Sequence, residues 1–516
     1  MKISKIFTAA ILAAGLGASA LNAQTVIYIS GAPAVRQITT TGIINVLKAN
    51  GGTISTAFTG ANIITANQVT WTGGNIGGNA VTIKLTYNGS AAGIQAVSAN
   101  QTAAFLADAQ NGLGSGRPDP TTTANNSDTT KAENHTPDFT IADEWQASTP
   151  WIGTNGVGDA INGGNGTNGD GTSTFSTLVD DIVGVLAYKF VASPGFPASN
   201  ITPNLANQLY TSGSIPLSQF TGNSADSTHY VYPLGRDIGS GARTITLSET
   251  GVGTTTPVKH WTPTVTYSGT GVGVAALAVY TTGSNYAAPT VSFSGGGGSG
   301  AAVTANLGTG ANAGKIVSYT VTASGSNYTT TPSYTISDST GTGASATVAL
   351  QGGFIGTQAL TVSGTLIGET YPIGDGGYSS FGTLLTALTA TGTGSKSGNY
   401  WVSAISYSDA KAAIAAGGVE LKWNGVQLGT VGIDTLGAGT GPDGTSSPAL
   451  SNGTYSFWSY IRLDYLSTLN SSKANAYSFE QALKTQLKNV DAEVHLKDLN
   501  VKRSTDGGVI VPGQVL

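Results

Sequence analysis

GRDIGSGAR, Gly235 to Arg243, is the run from which the fold is read. An apolar, strand-like approach (Tyr230 to Leu234) precedes it, and TITLSE (Thr244 to Glu249) follows as helix or strand. Glycines beside Ser240 leave backbone N–H groups unshielded. If a helix starts at Ser240, those amides converge on one point and the positive end of the helix faces the same way. Arg236 can add a planar two-donor fork. The set suits a small tetrahedral or carboxylate anion. Arg236 has a second reading as an ion-pair partner of Asp237, and Ser240 as a plain turn residue.

Working outward, strand, small-residue turn and helix recur. TVIYIS (Thr25 to Ser30) reads as a strand, Ala32 to Ala34 as a turn. Val35, Ile38, Ile43, Ile44 and Leu47 mark one face of a helix that ends at Asn50–Gly52. After a Gly/Thr/Asn-rich stretch, irregular or a small hairpin, AVTIKLTY (Ala80 to Tyr87) alternates as a strand. Gly89, Ser90 and Gly93 then turn the chain into a helix expected over 91–108. Ser90 is placed for a ligand contact there, or is a turn residue. PDFTIADEW (Pro137 to Trp145) predicts a short strand ending at Asp143, a ligand acceptor or a loop carboxylate. Val183 to Val191 is a strongly apolar strand. Thr202–Pro203 starts a helix with Leu205, Leu209 and Tyr210 on one face. Later come a helix from Phe381 to Leu388, the strand WVSAISY (Trp401 to Tyr407) and a short helix from Asp409 to Ala415. Tyr455 to Leu466 is a core strand or short helix. Phe479, Leu483 and Leu487 mark a clear amphipathic helix, before a closing strand and a loose end.

Residues 261–350 differ in composition. GSNYAAPTVSFS, from Gly283, recurs as GSNYTTTPSYTIS, from Gly325, offset by 42 residues and then 43. Short alternating strands with glycine turns predict a small all-β repeat, a spacer or surface module. A contact with cell envelope or polymer is assigned to 261–350.

The chain opens MKISKIFTAAILAAGLGASALNAQ: two lysines, an apolar run, then small residues up to Ala23. This predicts a secretory signal over 1–23, too short for a comfortable membrane span. Without Lys2 and Lys5, the 22 basic side chains fall to 20 against 27 acidic ones. That balance and the lack of a basic stripe exclude nucleic acid as a partner. With no cysteine, an exported chain draws its stability from burial, not crosslinks. About 490 mature residues predict more than one domain.

Chemistry is sparse. His135, His229, His260 and His495 form no HxH or HExxH arrangement, and no thiolate exists. No GxSxG elbow occurs, and GSGAR lacks the Lys-Ser/Thr of a nucleotide loop. NGGNGTNGDG, with Asp170 its one acid, is too poor in carboxylates for calcium. No cofactor, metal or catalytic residue is expected. Trp71, Trp145, Trp151, Trp401 and the aromatics of 455–465 read as core or as a sugar platform.

Six pieces occur in the order of a known family: ISGAPAVR (Ile29 to Arg36), TYNGSAAGIQAV (Thr86 to Val97), PDFTIADEW, NITPNLANQLYTSGSIPLSQF (Asn200 to Phe220), LGRDIGSGAR and WVSAISYSD (Trp401 to Asp409). The chain resembles the substrate-binding proteins of the phosphate ABC transporter, in the type II periplasmic-binding superfamily. The resemblance implies an α/β fold of two lobes with the β repeat inserted. Lobe one is expected over 24–182 and again from 409 to 516. Lobe two is expected over 183–260 and 351–408, with the inserted module at 261–350. It implies an oxyanion shell of Ser90, Asp143, Arg236, Ser240 and Gly241, with backbone from Ala32 to Ala34 and at Ala242. Asp143 would accept the proton of hydrogen phosphate, which would reject sulfate. The implied partner is an ABC permease. The chain departs from the pattern in two places. Val35 and Arg36 stand where the family has Thr-Phe, and Ala242 replaces a threonine. Arg36 either compensates or faces solvent. The competing reading is a non-catalytic surface or matrix protein that reuses the fold.

Overall fold

The computed structural model describes residues 25–49, 51, 54–59, 63, 66–107, 132–149, 175–254, 256, 258–262, 264–267, 273–328, 331–350, 358–361, 366–368, 377–389, 399–428, 448–489 and 496–515. The expected leader, the glycine tract at 153–171 and His495 lie outside the described residues, as does most of the polar loop at 111–136.

The fold is mixed α/β around one long sheet path. Its first half uses β1 (Thr25–Gly31), β2 (Ser55–Phe58), β3 (Gln68–Ile76) and β4 (Asn79–Thr86). Strands β5 (Ala103–Leu106) and β6 (Ala132–His135) form a separate antiparallel pair, and β7 (Phe139–Ala142) rejoins the sheet. β1 lies between β4 and β7, parallel to both. β4 is buried on both faces along Val81–Thr86 although its sequence alternates, because Lys84 and the threonines are buried too, and β7 is buried throughout. Helices α1 (Arg36–Ala49) and α2 (Ser90–Ser98) follow β1 and β4. The helix expected to reach 108 stops at Ser98: Asn100 turns with φ +54°, and the chain enters β5.

β8 (Leu178–Ala192) runs through both halves. Its Leu178–Ala187 part pairs with a late strand of the first half, and Tyr188–Ala192 with strands of the second. The second half continues with β9 (Asn200–Ile201), α3 (Pro203–Ser212), β10 (Ile215–Pro216), β11 (Tyr230–Pro233) and α4 (Gly241–Glu249). Thr202 caps α3 by accepting from Leu205 N–H, with Pro203 at the first helical position, as its sequence signal predicts. TITLSE is helical.

An all-β stretch then leaves and returns on paired strands. β12 (Lys259–Trp261) and β13 (Thr264–Tyr267) lead out to β14 (Val274–Ser284), β15 (Thr290–Ser294), β16 (Ser299–Leu307), β17 (Ile316–Ser326), β18 (Ser333–Ser337) and β19 (Thr342–Leu350). β20 (Gln358–Thr361) pairs β13, and β21 (Leu366–Gly368) pairs β12. The two repeats exchange strands: β14 pairs β19, β16 pairs β17, and β15 pairs β18 across Ser292 and Thr335. Those two residues are 43 apart in the repeat, so a pseudo-twofold axis passes between them. Asn285 and Asn327, the matched turn residues, both sit at positive φ, +62° and +66°.

Helix α5 (Phe381–Leu388), β22 (Tyr400–Ser406), α6 (Tyr407–Ala415) and β23 (Val419–Trp423) complete the second half. α6 packs on β8, and β23 pairs with β8 on the edge opposite β22, so the chain rejoins the first half later than residue 409. It does so at β24 (Trp458–Leu466), antiparallel to β7 and β8, followed by α7 (Ala474–Asn489). Phe479, Leu483 and Leu487 of α7 join Ile27, Ile29, Trp71 and Phe139 in a core that continues into the second half. Trp71, Trp401 and Trp458 are buried, so they form no sugar platform.

Candidate anion-binding site

Parallel strands put their carboxyl ends on one edge of a sheet. β1, β4 and β7 are such a set, and their ends lead to Ala32, Ser90 and Asp143. In the second half β11 and β22 run parallel, and their ends lead to Gly235–Ser240 and to Ser406–Asp409. Ligands of open α/β sheets bind in the crevice beyond such ends.

The first-half turns are tied together by backbone. Ala32 N–H donates to Ile141 O at 2.8 Å and Gly89 N–H to Gly31 O at 3.3 Å. Asp143 N–H donates to Ser90 Oγ at 2.8 Å. Ser90 and Asp143 are buried, 1% and 2% exposed. Tyr188 Oη, from the middle of β8, donates to Asp143 Oδ2 at 2.8 Å, while Oδ1 is buried with no hydrogen-bond partner. Burial pushes the Asp143 carboxyl up, and the Ser90 and Tyr188 hydroxyls oppose that. Glu144 beside it is pushed up further, first by burial and then by the Asp143 charge.

The second half meets this edge directly. Helix α4 begins after Ser240, whose side chain caps no helix amide. A Cβ on Gly241 would lie 1.9 Å from Asp143 Oδ1 and 2.8 Å from Ser90 Cβ. A Cβ on Gly89, at φ +113°, would lie 2.2 Å from the Gly239 carbonyl oxygen, which accepts from Ala92 N–H at 3.2 Å. Thus Ser90, Asp143 and Gly241 come together, and the positive end of α4 faces a carboxyl group.

The other expected residues surround that contact in different ways. Arg236 is 9% exposed. Its Nε donates to Tyr378 O at 2.8 Å and its Nη2 to Ser379 O at 3.2 Å, so backbone carbonyls hold the fork. Ala34 packs against the first-half core. Ala242 lines a cavity behind the loop, with Arg236, Arg243, His260 and Tyr210. Burial brings Arg243 down to about 10, opposed by Asp237.

Sequence reasoning did not find Tyr188, Glu144, Arg243 or Asp409. Tyr188 reads as one more apolar strand residue, and Asp409 as the first turn of an alanine helix. Burial pushes Asp409 up to about 6, opposed by Ser406, Arg236 and Arg36. Among the described residues no group of three or more His, Asp or Glu could hold a metal ion, and no helix is long and apolar enough to cross a membrane.

No family model and no curated protein matches the chain. Solved structures similar to it include a putative phosphate ABC transporter substrate-binding protein with bound phosphate from Clostridium perfringens and an ABC-type phosphate transport receptor from Vibrio cholerae. Each is 10% identical, covering 89% of this chain and 93% of that one, with TM-score 0.35. PstS from Borrelia burgdorferi is also 10% identical, covering 89% and 92%, with TM-score 0.31. At these values the likeness assigns neither ligand nor partner to this chain.

Proposed function

We propose that this chain is an exported solute-binding protein that holds a small oxyanion, phosphate by preference, between its two halves and delivers it to an ABC permease without turning it over. One observation carries the reading: Ser90 and Asp143 from one half touch Gly241 at the start of α4 from the other. Asp143 Oδ1 is a buried acceptor in want of a donor. Hydrogen phosphate brings an O–H to it; fully ionised sulfate brings another acceptor. Export rests on the leader pattern of residues 1–23.

Calorimetric titration of the purified protein with phosphate, sulfate and small carboxylates tests the proposal. Phosphate should give the strongest heat, and Arg236→Ala should weaken it. Absence of heat and of any rise in melting temperature with every anion would overturn it.

A second reading has its own support. The meeting point is filled by protein: the Gly239 carbonyl already takes the Ala92 amide, and Asp143 lies against Gly241. A surface or matrix protein that keeps the fold without the ligand, and binds cell envelope or polymer through 261–350, would look the same. It predicts silence in the titration and retention on envelope material through that stretch.

A further inference from the structure

Tyr188 lies where β8 passes from one half to the other: its neighbour Ala187 is paired with Trp458 of β24, and Tyr188 itself with Ser406 of β22. The residue is fully buried. Its amide donates to Phe457 O at 3.0 Å, its carbonyl accepts from Tyr455 Oη, and its ring packs on that of Phe457 with centroids 5.5 Å apart. The hydroxyl is therefore delivered to one place. There Ser459 Oγ donates to it at 3.4 Å, and its own proton goes the other way, to Asp143 Oδ2 at 2.8 Å. Ser90 Oγ takes the Asp143 amide at 2.8 Å, so the aspartate is held at its backbone and at one oxygen. Oδ1 is left, buried and without a hydrogen-bond partner, against the start of α4. A carboxylate held this way offers an acceptor and no donor. Exchange of its two oxygens, or a proton on either, would end that. The Tyr188 O–H opposes both, because it engages Oδ2 and favours the ionised form.

We infer that Tyr188 is a positioning residue for the bound anion: acting through Asp143, it keeps Oδ1 an acceptor and so sets the preference for hydrogen phosphate over sulfate. This rests on the oxyanion-binding reading above. Without the phenol hydroxyl Asp143 would keep a proton more readily, and the acidic groups that act on it, Glu144, Asp506 and Asp409, add to that. A protonated Asp143 donates to sulfate and no longer accepts from hydrogen phosphate.

The test is calorimetric titration of the whole protein and of Tyr188→Phe with inorganic phosphate and with sulfate, at a pH where phosphate is mostly doubly charged. Tyr188→Phe should weaken phosphate about 10-fold and leave sulfate unchanged or tighter, so the ratio of the two affinities falls by at least that factor. A merely structural role would weaken both anions alike; that result, or an unchanged ratio, overturns the inference and leaves the parent reading standing. So do equal affinities for the two anions in the unsubstituted protein. Ser459→Ala removes only the hydroxyl that orients the phenol and should lower the ratio about 2- to 5-fold. If the phenylalanine variant does not fold, an unchanged ratio in Ser459→Ala overturns the inference. If the unsubstituted protein binds neither anion, the parent reading fails and this one with it.

Discussion

An alanine at position 241 would place its methyl carbon 1.9 Å from Asp143 Oδ1, well inside contact distance. Asp143 cannot simply swing aside, because Tyr188 holds its other oxygen. The cost must appear as a displaced carboxylate or as halves pushed apart, about 1–3 kcal/mol for this kind of overpacking. Gly241→Ala should therefore melt below the wild type, while the same change at exposed Gly51, which has no atom within 4 Å of its would-be Cβ, tests only the backbone strain of φ +81°. A Gly241→Ala protein as stable as the wild type would show that the two halves do not touch there in solution. The turn positions of Ser90 and Gly241 and the strand end at Asp143 were legible because such signals are local; that the three meet was not. Tyr188 was not, since its role depends on a partner 45 residues away.

Elements add a constraint that side chains alone do not reveal. In the β8–β24 pairing Asp464 stands directly across from Asp180, and like charges directly opposite are unfavourable. Asp180 pairs with Arg462, leaving Asp464 buried with both oxygens unpartnered. Burial, then the Asp180 charge, holds the Asp464 carboxyl well above its ordinary range, with Arg462 opposing and Asp506 and Asp181 adding to the rise. A folded-state value above the unfolded one, about 3.9, means that the protonated group supports the fold. That support is complete below the unfolded value and is lost as pH rises through the folded one. Asp464→Asn, which keeps the shape and cannot ionise, should therefore stabilise the protein at pH 8 and change little at pH 4. Every tenfold difference in proton affinity between the folded and unfolded carboxyl corresponds to about 1.4 kcal/mol of that gain. Urea unfolding at the two pH values checks this, and equal effects at both would refute it. The repeat teaches a related lesson about reading elements. Its period was visible in GSNY, but the exchange of strands between the two copies was not. Alternation sets which face a strand buries, not which strand it joins.

For the whole molecule, the question is whether the all-β stretch takes part in the site. The strands that carry it out and back are paired at its base, with Trp261 directly across from Leu366. Opposed antiparallel residues lie about 5 Å apart, a gap that a two-residue Asn-Gly turn closes. Trp261 is anchored on the second half independently of that stretch: its indole donates to Gly213 O at 2.8 Å and its ring packs against Tyr232 and Trp401. The residues that meet at Gly241, and Tyr188 and Ser459 behind them, all lie outside 262–365. The composition shift near 261 was legible for the same reason that the two ends pair: the stretch has its own small cores, built on Val274, Leu277 and Tyr328 and on Tyr286 and Ile316. What composition could not place was the return, since α6 and β23 look like any α/β unit and only their pairing on β8 assigns them to the second half. Replacing 262–365 by Asn-Gly should thus give a protein that still melts cooperatively and binds phosphate with the affinity of the full chain, as read by calorimetry. Loss of binding with the fold intact would mean that the β stretch shapes the site, and loss of folding that the second half depends on it.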